Sequence, residues 1–228
     1  MAFFSSAQNK KMNFYLLKND GCYVDLRDSA DYIRIVSEPD SASLLYNVTE
    51  YFLNNKRKLV GKSFTIDPPY FEGQCAMYYK SGLRHLLTNY NKGVAASYEY
   101  EFYPNGKPYF EKKYTDINYN YIVNESYDSL GTVLVENGNG YHKVYDETFK
   151  YITEEGTLKN GKRDGLWKGE FKDIKTIISV KYLDGELITG TATDEDGKSV
   201  TYSKSKDVIP EFKGGAREFT NYILKTLR

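Results

Sequence analysis

Residues 98–114 read YEYEFYPNGKPYFEKKY, and this stretch decides the fold class. Aromatic residues alternate with glutamates before the turn residues Pro104, Asn105 and Gly106, and a second aromatic run follows the turn. A strand alternation of period two that is followed by such a turn and a second aromatic run predicts a β-hairpin. Proline has no backbone N–H to give to a strand ladder, so a two-residue type I′ turn is disfavoured. We expect a type I turn with Pro104 and Asn105 at its centre and Gly106 as a left-handed bulge.

Glycines recur along the middle of the chain at intervals of 24, 25 and 25 residues, and each follows aromatic or β-branched residues. We expect all four to be left-handed turn residues of one repeated hairpin: Gly82, Gly106, Gly131 and Gly156. Asn55 fits an earlier, divergent copy, and two more structural turns are expected at Gly185 and Gly197. The fold class predicted is mainly β, an antiparallel meander of tandem hairpin repeats with one short C-terminal α-helix.

The charge and the aromatic content limit the function classes. The chain has 31 basic and 31 acidic residues, finely interspersed, so we expect no nucleic-acid partner. Tyrosine is abundant, with 23 copies, and suits strands that are half-buried. The alternative is an aromatic face that stacks on sugars or peptides. No stretch is long and apolar enough for a membrane span.

The residues that carry most enzyme chemistry are scarce. Only two histidines occur, His85 and His142, and no nucleophile-elbow, P-loop or dinucleotide motif is present. The acidic turn 194–197 lacks the distal ligands of a calcium loop. The adjacent Glu154 and Glu155 alternate faces of a strand, so they do not converge as glycosidase carboxylates do. We expect no catalytic site, no metal site and no cofactor.

The ends of the chain differ from its middle. Residues 1–8 look like the remnant of a signal peptide, with small residues before Gln8, and predict an exported, periplasmic or envelope-associated protein. The hairpin repeats are assigned to residues 9–206. Residues 207–228 contain a predicted amphipathic helix that includes Phe219, Ile223 and Leu227. Cys22 and Cys75 could pair in an oxidising compartment or remain two separate thiols.

Two segments resemble known families. The segments around Gly82 and Gly106 and the stretch 160–171 (NGKRDGLWKGEF) resemble MORN-type repeats, in the variant of bacterial YwqK-type antitoxins. This resemblance covers residues 45–200 and implies a β-hairpin array, which agrees with the pattern of turns.

The second resemblance lies near the C-terminus. Four residues match the opening of a TonB carboxy-terminal domain: Pro210, Phe212, Gly214 and Gly215. The resemblance implies a periplasmic, energy-transducer-like protein of the Bacteroidetes type, in a family whose domain pairs with transporter peptides by strand addition. We therefore expect a non-enzymatic binding or scaffold module with a protein partner, and an envelope polymer as a further partner class. A toxin-neutralising antitoxin and a cell-wall carbohydrate-binding module are the alternatives.

Overall fold

A computed structural model describes residues 10–116 and 120–203. These residues form one antiparallel sheet of sixteen strands, in which every strand pairs with its neighbours in sequence. The expected hairpin meander is therefore confirmed. Outside the described residues lie the predictions for residues 1–8 and for the C-terminal segment: Pro210, Phe212, Gly214, Gly215 and the helix at Phe219.

The strands follow the alternation of the sequence and are joined by short connections. Their bounds are β1 Met12–Leu17, β2 Tyr32–Ser37, β3 Tyr46–Phe52, β4 Arg57–Ser63, β5 Phe71–Tyr78, β6 Arg84–Asn91, β7 Val94–Phe102 and β8 Pro108–Tyr114. They continue with β9 Tyr121–Tyr127, β10 Val133–Glu136, β11 Asn139–Tyr145, β12 Ile152–Lys159, β13 Lys162–Phe171, β14 Thr176–Leu183, β15 Glu186–Thr193 and β16 Ser199–Ser203. Two single 3₁₀ turns, Arg27–Ser29 and Lys172–Ile174, lie in the connections.

The turns on one edge of the sheet are type I turns with a left-handed bulge. In the β7–β8 turn, the amide of Gly106 donates to the carbonyl of Tyr103 at 2.8 Å, and the amide of Tyr103 donates to that of Lys107 at 2.8 Å. The expected turn type is confirmed, because these two bonds close a type I turn with φ +84° at Gly106. Residues with the same two bonds and positive φ occur in the other turns of this edge, at Gly21, Asn55, Gly82, Gly131 and Gly197.

The opposite edge uses a different turn. Four of its connections are two-residue turns in which both residues have positive φ, the type I′ geometry of tight hairpins: Lys92-Gly93, Asn137-Gly138, Asn160-Gly161 and Asp184-Gly185. Gly185 is thus a turn residue as expected, but of this second kind. Connections on the two edges alternate along the chain, so the repeat unit consists of two strands.

Side chains in successive bulge turns hydrogen-bond to one another. The Asn54 side-chain amide donates to the carbonyl of Lys80 at 3.1 Å, and Asn105 donates in the same way to Ser129 at 2.9 Å. Each bond joins one turn to the turn two strands further on. The repeated spacing in the sequence therefore corresponds to a repeated contact between hairpins.

The prediction of a turn at Gly156 was wrong. Gly156 lies inside β12, opposite Trp167 of β13, and its φ is not positive. A Cβ at this position would lie 2.4 Å from Trp167 Cγ, so the glycine makes room for the indole ring. The left-handed turn residue of this hairpin is Phe149, with φ +57°.

One face of the sheet carries the buried side chains, and we call it the core face. Its buried residues include two hydrophobic clusters, one in β2–β5 that includes Val36, Val48 and Cys75, and one in β9–β13 that includes Val135 and Trp167. Strand alternation places the remaining side chains on the outer face. The two cysteines belong to different surroundings, since Cys75 is buried and Cys22 is exposed, and both are free thiols.

The sheet is strongly curved. Phe52 of β3 and Tyr145 of β11 line the same pocket. In a flat sheet these strands, eight positions apart, would be separated by about 38 Å at ~4.8 Å per strand. The curvature therefore brings hairpins that are distant in sequence around one cavity.

Candidate aromatic binding pocket

A pocket of about 690 Å³ lies where the curved sheet brings β3 and β11 together, beside the bulge turns. Most of its wall consists of aromatic rings, supplied by the end of β3, by β5–β8 and by the β11–β12 hairpin: Phe52, Tyr78, Tyr79, Tyr109, Phe110, Tyr145 and Phe149. Its volume falls in the range of protein pockets that bind ligands. We call it the aromatic pocket.

Buried tyrosine hydroxyls fix the position of the rings. Three tyrosines in and beside the wall donate to backbone carbonyls of later strands or turns: Tyr79 to Phe102 at 2.5 Å, Tyr103 to Tyr127 at 2.8 Å and Tyr109 to Lys143 at 2.6 Å. Burial raises the pKa of all three hydroxyls well above the ordinary value for tyrosine, so the hydroxyls remain protonated donors. The hydroxyls are therefore engaged in the fold, and the rings remain as the contact surface.

Ring contacts across the curved sheet also hold the wall in place. The ring of Tyr109 lies 5.0 Å from Tyr103, 5.6 Å from Tyr145 and 5.2 Å from Phe149, measured between centroids. The contacts to Tyr145 and Phe149 are edge-to-face, with interplanar angles of 76° and 85°. Such geometry is favourable for aromatic pairs and orders the pocket before any ligand binds.

Acidic groups outnumber basic ones in the wall. Glu101, Asp146 and Glu147 line the pocket together with one lysine, Lys80. The Thr148 hydroxyl and backbone amides of the same turn donate hydrogen bonds to Asp146, and these bonds lower its pKa to about 2. The pocket is therefore a negatively charged, aromatic environment.

Glu101 differs from the other glutamates of the core face. Three of these form short ion pairs with lysine or arginine: Glu50 with Arg34 and Lys58 (both 2.9 Å), Glu99 with Lys112 (2.6 Å) and Glu154 with Arg163 (2.7 Å). Within residues 10–116 and 120–203, the ion-pair contact of Glu101 is with His85, whose Nε2 lies 3.7 Å away. The His85 ring in turn stacks near Tyr79 at 4.4 Å. Glu101 thus faces the pocket without a lysine or arginine at ion-pair distance in the described part of the chain.

A smaller cavity of about 210 Å³ lies between β9 and β13, and His142 and Trp167 line it. Only 5% of His142 is exposed, and its Nδ1 has no hydrogen-bond partner among the described residues. Burial, together with the nearby charge of Arg163, lowers the pKa of His142 to about 4. At neutral pH this ring is uncharged.

The turn glycines named from the sequence do not form the pocket themselves. Gly82 and Gly106 are the left-handed residues of two turns. The first residue of the Gly82 turn, Tyr79, lines the pocket, and the first residue of the Gly106 turn, Tyr103, packs against the pocket residue Tyr109. Gly131 and Gly197 lie in the equivalent turns of later hairpins, and Gly185 borders the smaller cavity. Sequence reasoning raised an aromatic binding face but did not select its residues; the recurrence of tyrosine three residues before a turn glycine was the available signal.

Within the described ranges, no group of three or more potential ligand residues could hold a metal ion, and no helix has the length and apolar character needed to cross a membrane. A comparison with protein-family models gave no match, and comparisons with curated proteins and with solved structures gave none either.

Proposed function

We propose that this chain is a non-enzymatic binding module and that the aromatic pocket is its site for a protein partner. The observation that carries the proposal is a preformed pocket of about 690 Å³ whose rings are held by buried hydroxyl–carbonyl bonds. Rigid aromatic side chains that already have their bound orientation lose little entropy on binding. Tyrosine and phenylalanine are also enriched at the centres of protein interfaces.

The state of the tyrosine hydroxyls supports binding rather than catalysis. A tyrosine that acts as a general acid or base needs a hydroxyl that reaches the ligand and a pKa close to the working pH. Here Tyr79 and Tyr109 donate to backbone carbonyls, and burial raises the pKa of both. Their contribution is the ring surface. The resemblance to periplasmic TonB-family proteins leads us to propose further that the partner is an envelope protein.

A carbohydrate of the cell wall is the second candidate ligand. Aromatic faces stack on the apolar faces of sugars, and Glu101 could accept hydrogen bonds from sugar hydroxyls. The pocket's charge favours a polypeptide, because its acidic groups complement basic side chains and gain no such charge complementarity from a neutral sugar. A titration with soluble cell-wall fragments therefore accompanies the test below.

The test is a selection of peptides from a random display library on the purified protein, followed by measurement of their affinities for two variants. Tyr145→Ala removes a ring of the pocket, whereas Tyr141→Ala removes an exposed ring of the same strand that does not line the pocket. We expect selected peptides to bind Tyr145→Ala at least tenfold more weakly and Tyr141→Ala with unchanged affinity. Circular dichroism verifies that both variants are folded.

Equal affinities for both variants, or saturation by cell-wall fragments in place of peptides, would overturn the proposal. A Tyr145→Ala variant that fails to fold is replaced by Tyr145→Leu, which keeps apolar volume but removes the aromatic face. The prediction for this second variant is the same loss of peptide affinity.

A further inference from the structure

The chain contains its own example of how a core-face glutamate among aromatic rings is neutralised. Arg163 binds Glu154 through two hydrogen bonds of 2.8 and 2.7 Å. The same guanidinium lies 4.2 Å from the ring centroid of Trp167 and 5.3 Å from that of Tyr182. A planar guanidinium fits this place because it can bond a carboxylate with both arms while its face lies on a ring.

The aromatic pocket repeats this arrangement with one component missing. Glu101 supplies a carboxylate that is 23% exposed, and Tyr79, Tyr109 and Tyr145 supply ring surfaces. The counterpart of Arg163 is absent, since the contact of Glu101 within the described residues is His85 at 3.7 Å. Lys80 borders the pocket but forms no ion pair with Glu101 at 4 Å or less among these residues.

We infer that the aromatic pocket binds an arginine side chain of a partner polypeptide, with its guanidinium on the carboxylate of Glu101 and its plane against the pocket rings. This inference rests on the proposed function and specifies the partner's chemistry. Three observations carry it: the carboxylate without a lysine or arginine, the aromatic wall around it and the excess of acidic groups in the lining. Charge complementarity and cation–π contact then act on the same group.

Arginine fits this site better than lysine. Lysine is a point charge that remains strongly hydrated, whereas guanidinium is weakly hydrated and stacks on aromatic faces. The core face itself shows both solutions. Arg163, the partner of Glu154, lies over two rings at 4.2 and 5.3 Å, and Lys112, the partner of Glu99, lies 5.0–5.8 Å from three. A volume of about 690 Å³ leaves room for the arginine together with neighbouring atoms of the partner's backbone.

The experiment is an NMR titration of the ¹⁵N-labelled protein with three capped amino acids. The probes are Nα-acetyl-arginine-N-methylamide, the citrulline analogue, which is neutral and nearly the same shape, and the lysine analogue. We expect the arginine probe to shift the resonances of Glu101, Tyr79 and Tyr145 saturably, with a dissociation constant of about 1 mM, the range of a single small ligand. The citrulline probe should give no saturable shift, and the lysine probe should bind several-fold more weakly.

Variants test the role of the carboxylate. Glu101→Gln keeps the shape of the side chain and is expected to weaken arginine binding tenfold or more. Glu136→Gln removes an exposed carboxylate from the outer face of β10 and is expected to leave binding unchanged. Similar affinities for the arginine and citrulline probes, or full affinity in Glu101→Gln, would refute the inference.

The failure of this inference can be told apart from that of the proposed function. If the arginine probe does not bind but selected peptides still require the ring of Tyr145, the arginine assignment is wrong and the binding module stands. If neither the probe nor any selected peptide depends on the pocket, both proposals are wrong.

Discussion

Replacing Gly156 with alanine adds one methyl group at the most crowded point of the β12–β13 pair. The new Cβ would lie 2.4 Å from Cγ, 2.5 Å from Cδ1 and 2.6 Å from Cδ2 of Trp167. The indole has little freedom to withdraw, because it is only 1% exposed and its Nε1 donates to the carbonyl of Thr157 at 2.9 Å. The substitution must therefore shift the ring or the two strands.

The magnitude follows from this crowding. Inserting a methyl group into a packed core costs roughly 1–3 kcal/mol, and a contact this short places the cost near the upper end. In a Trp167→Ala background all three clashing atoms are gone. There, alanine in a strand interior is expected to stabilise the chain by ~0.5–1 kcal/mol relative to glycine. The coupling between the two substitutions is thus about 3–4 kcal/mol.

The assay is urea denaturation of the four proteins of this double-mutant cycle, followed by far-UV circular dichroism because Trp167 is the only tryptophan. Thr157→Ala serves as the control, since Thr157 is the adjacent, exposed residue on the outer face and is expected to change stability by less than ~0.5 kcal/mol. Additive effects of Gly156→Ala and Trp167→Ala would refute the reasoning, because they would show that the glycine does not accommodate the ring.

Three other predictions concern buried groups. The pKa of His142 is lowered to about 4, so the unfolded chain takes up a proton at a higher pH than the folded chain. The free energy of unfolding should therefore decrease by about 3 kcal/mol as the pH is lowered from about 6.5 to 4. The His142→Gln variant should show a weaker pH dependence when denaturation is measured across this range. The Lys112→Met variant leaves the buried carboxylate of Glu99 without its cation, so the free energy of unfolding measured in urea should fall by ~3–5 kcal/mol. Lys175→Ala, which removes a mostly exposed ion pair, is the control and should lower it by less than ~1 kcal/mol. A thiol reagent should modify the exposed Cys22 in the native protein and reach Cys75, whose pKa burial raises to about 12, only when denaturant is added; equal rates would contradict this.

The fold could be predicted from the sequence because its signals are local. Alternating residues specify strands, and the turn at Pro104-Asn105-Gly106 specifies its own type through the missing proline amide and the left-handed glycine. The error at Gly156 shows the limit of this reasoning. A glycine that gives space to a ring on the next strand has the same spacing as one that turns the chain, and only the pairing with Trp167 distinguishes them.

The pocket could not be predicted, because it depends on curvature. Phe52, Tyr109 and Tyr145 lie far apart in sequence and meet only because the sheet coils. Nor does the sequence indicate which glutamates have cationic partners. Glu99 and Glu101 are two residues apart on one face of β7, yet the first contacts Lys112 at 2.6 Å and the second faces the pocket.

Both proposals depend on the curvature that brings β3 and β11 to one pocket, and a distance between these strands tests it most directly. Spin labels at Leu53→Cys and Glu147→Cys, in a Cys22→Ser background with Cys75 buried, would lie beside opposite parts of the pocket wall. The account predicts a distance distribution by electron paramagnetic resonance that is centred well below 38 Å. A distribution centred at about 38 Å or more, the value for eight strand spacings of a flat sheet, would contradict it.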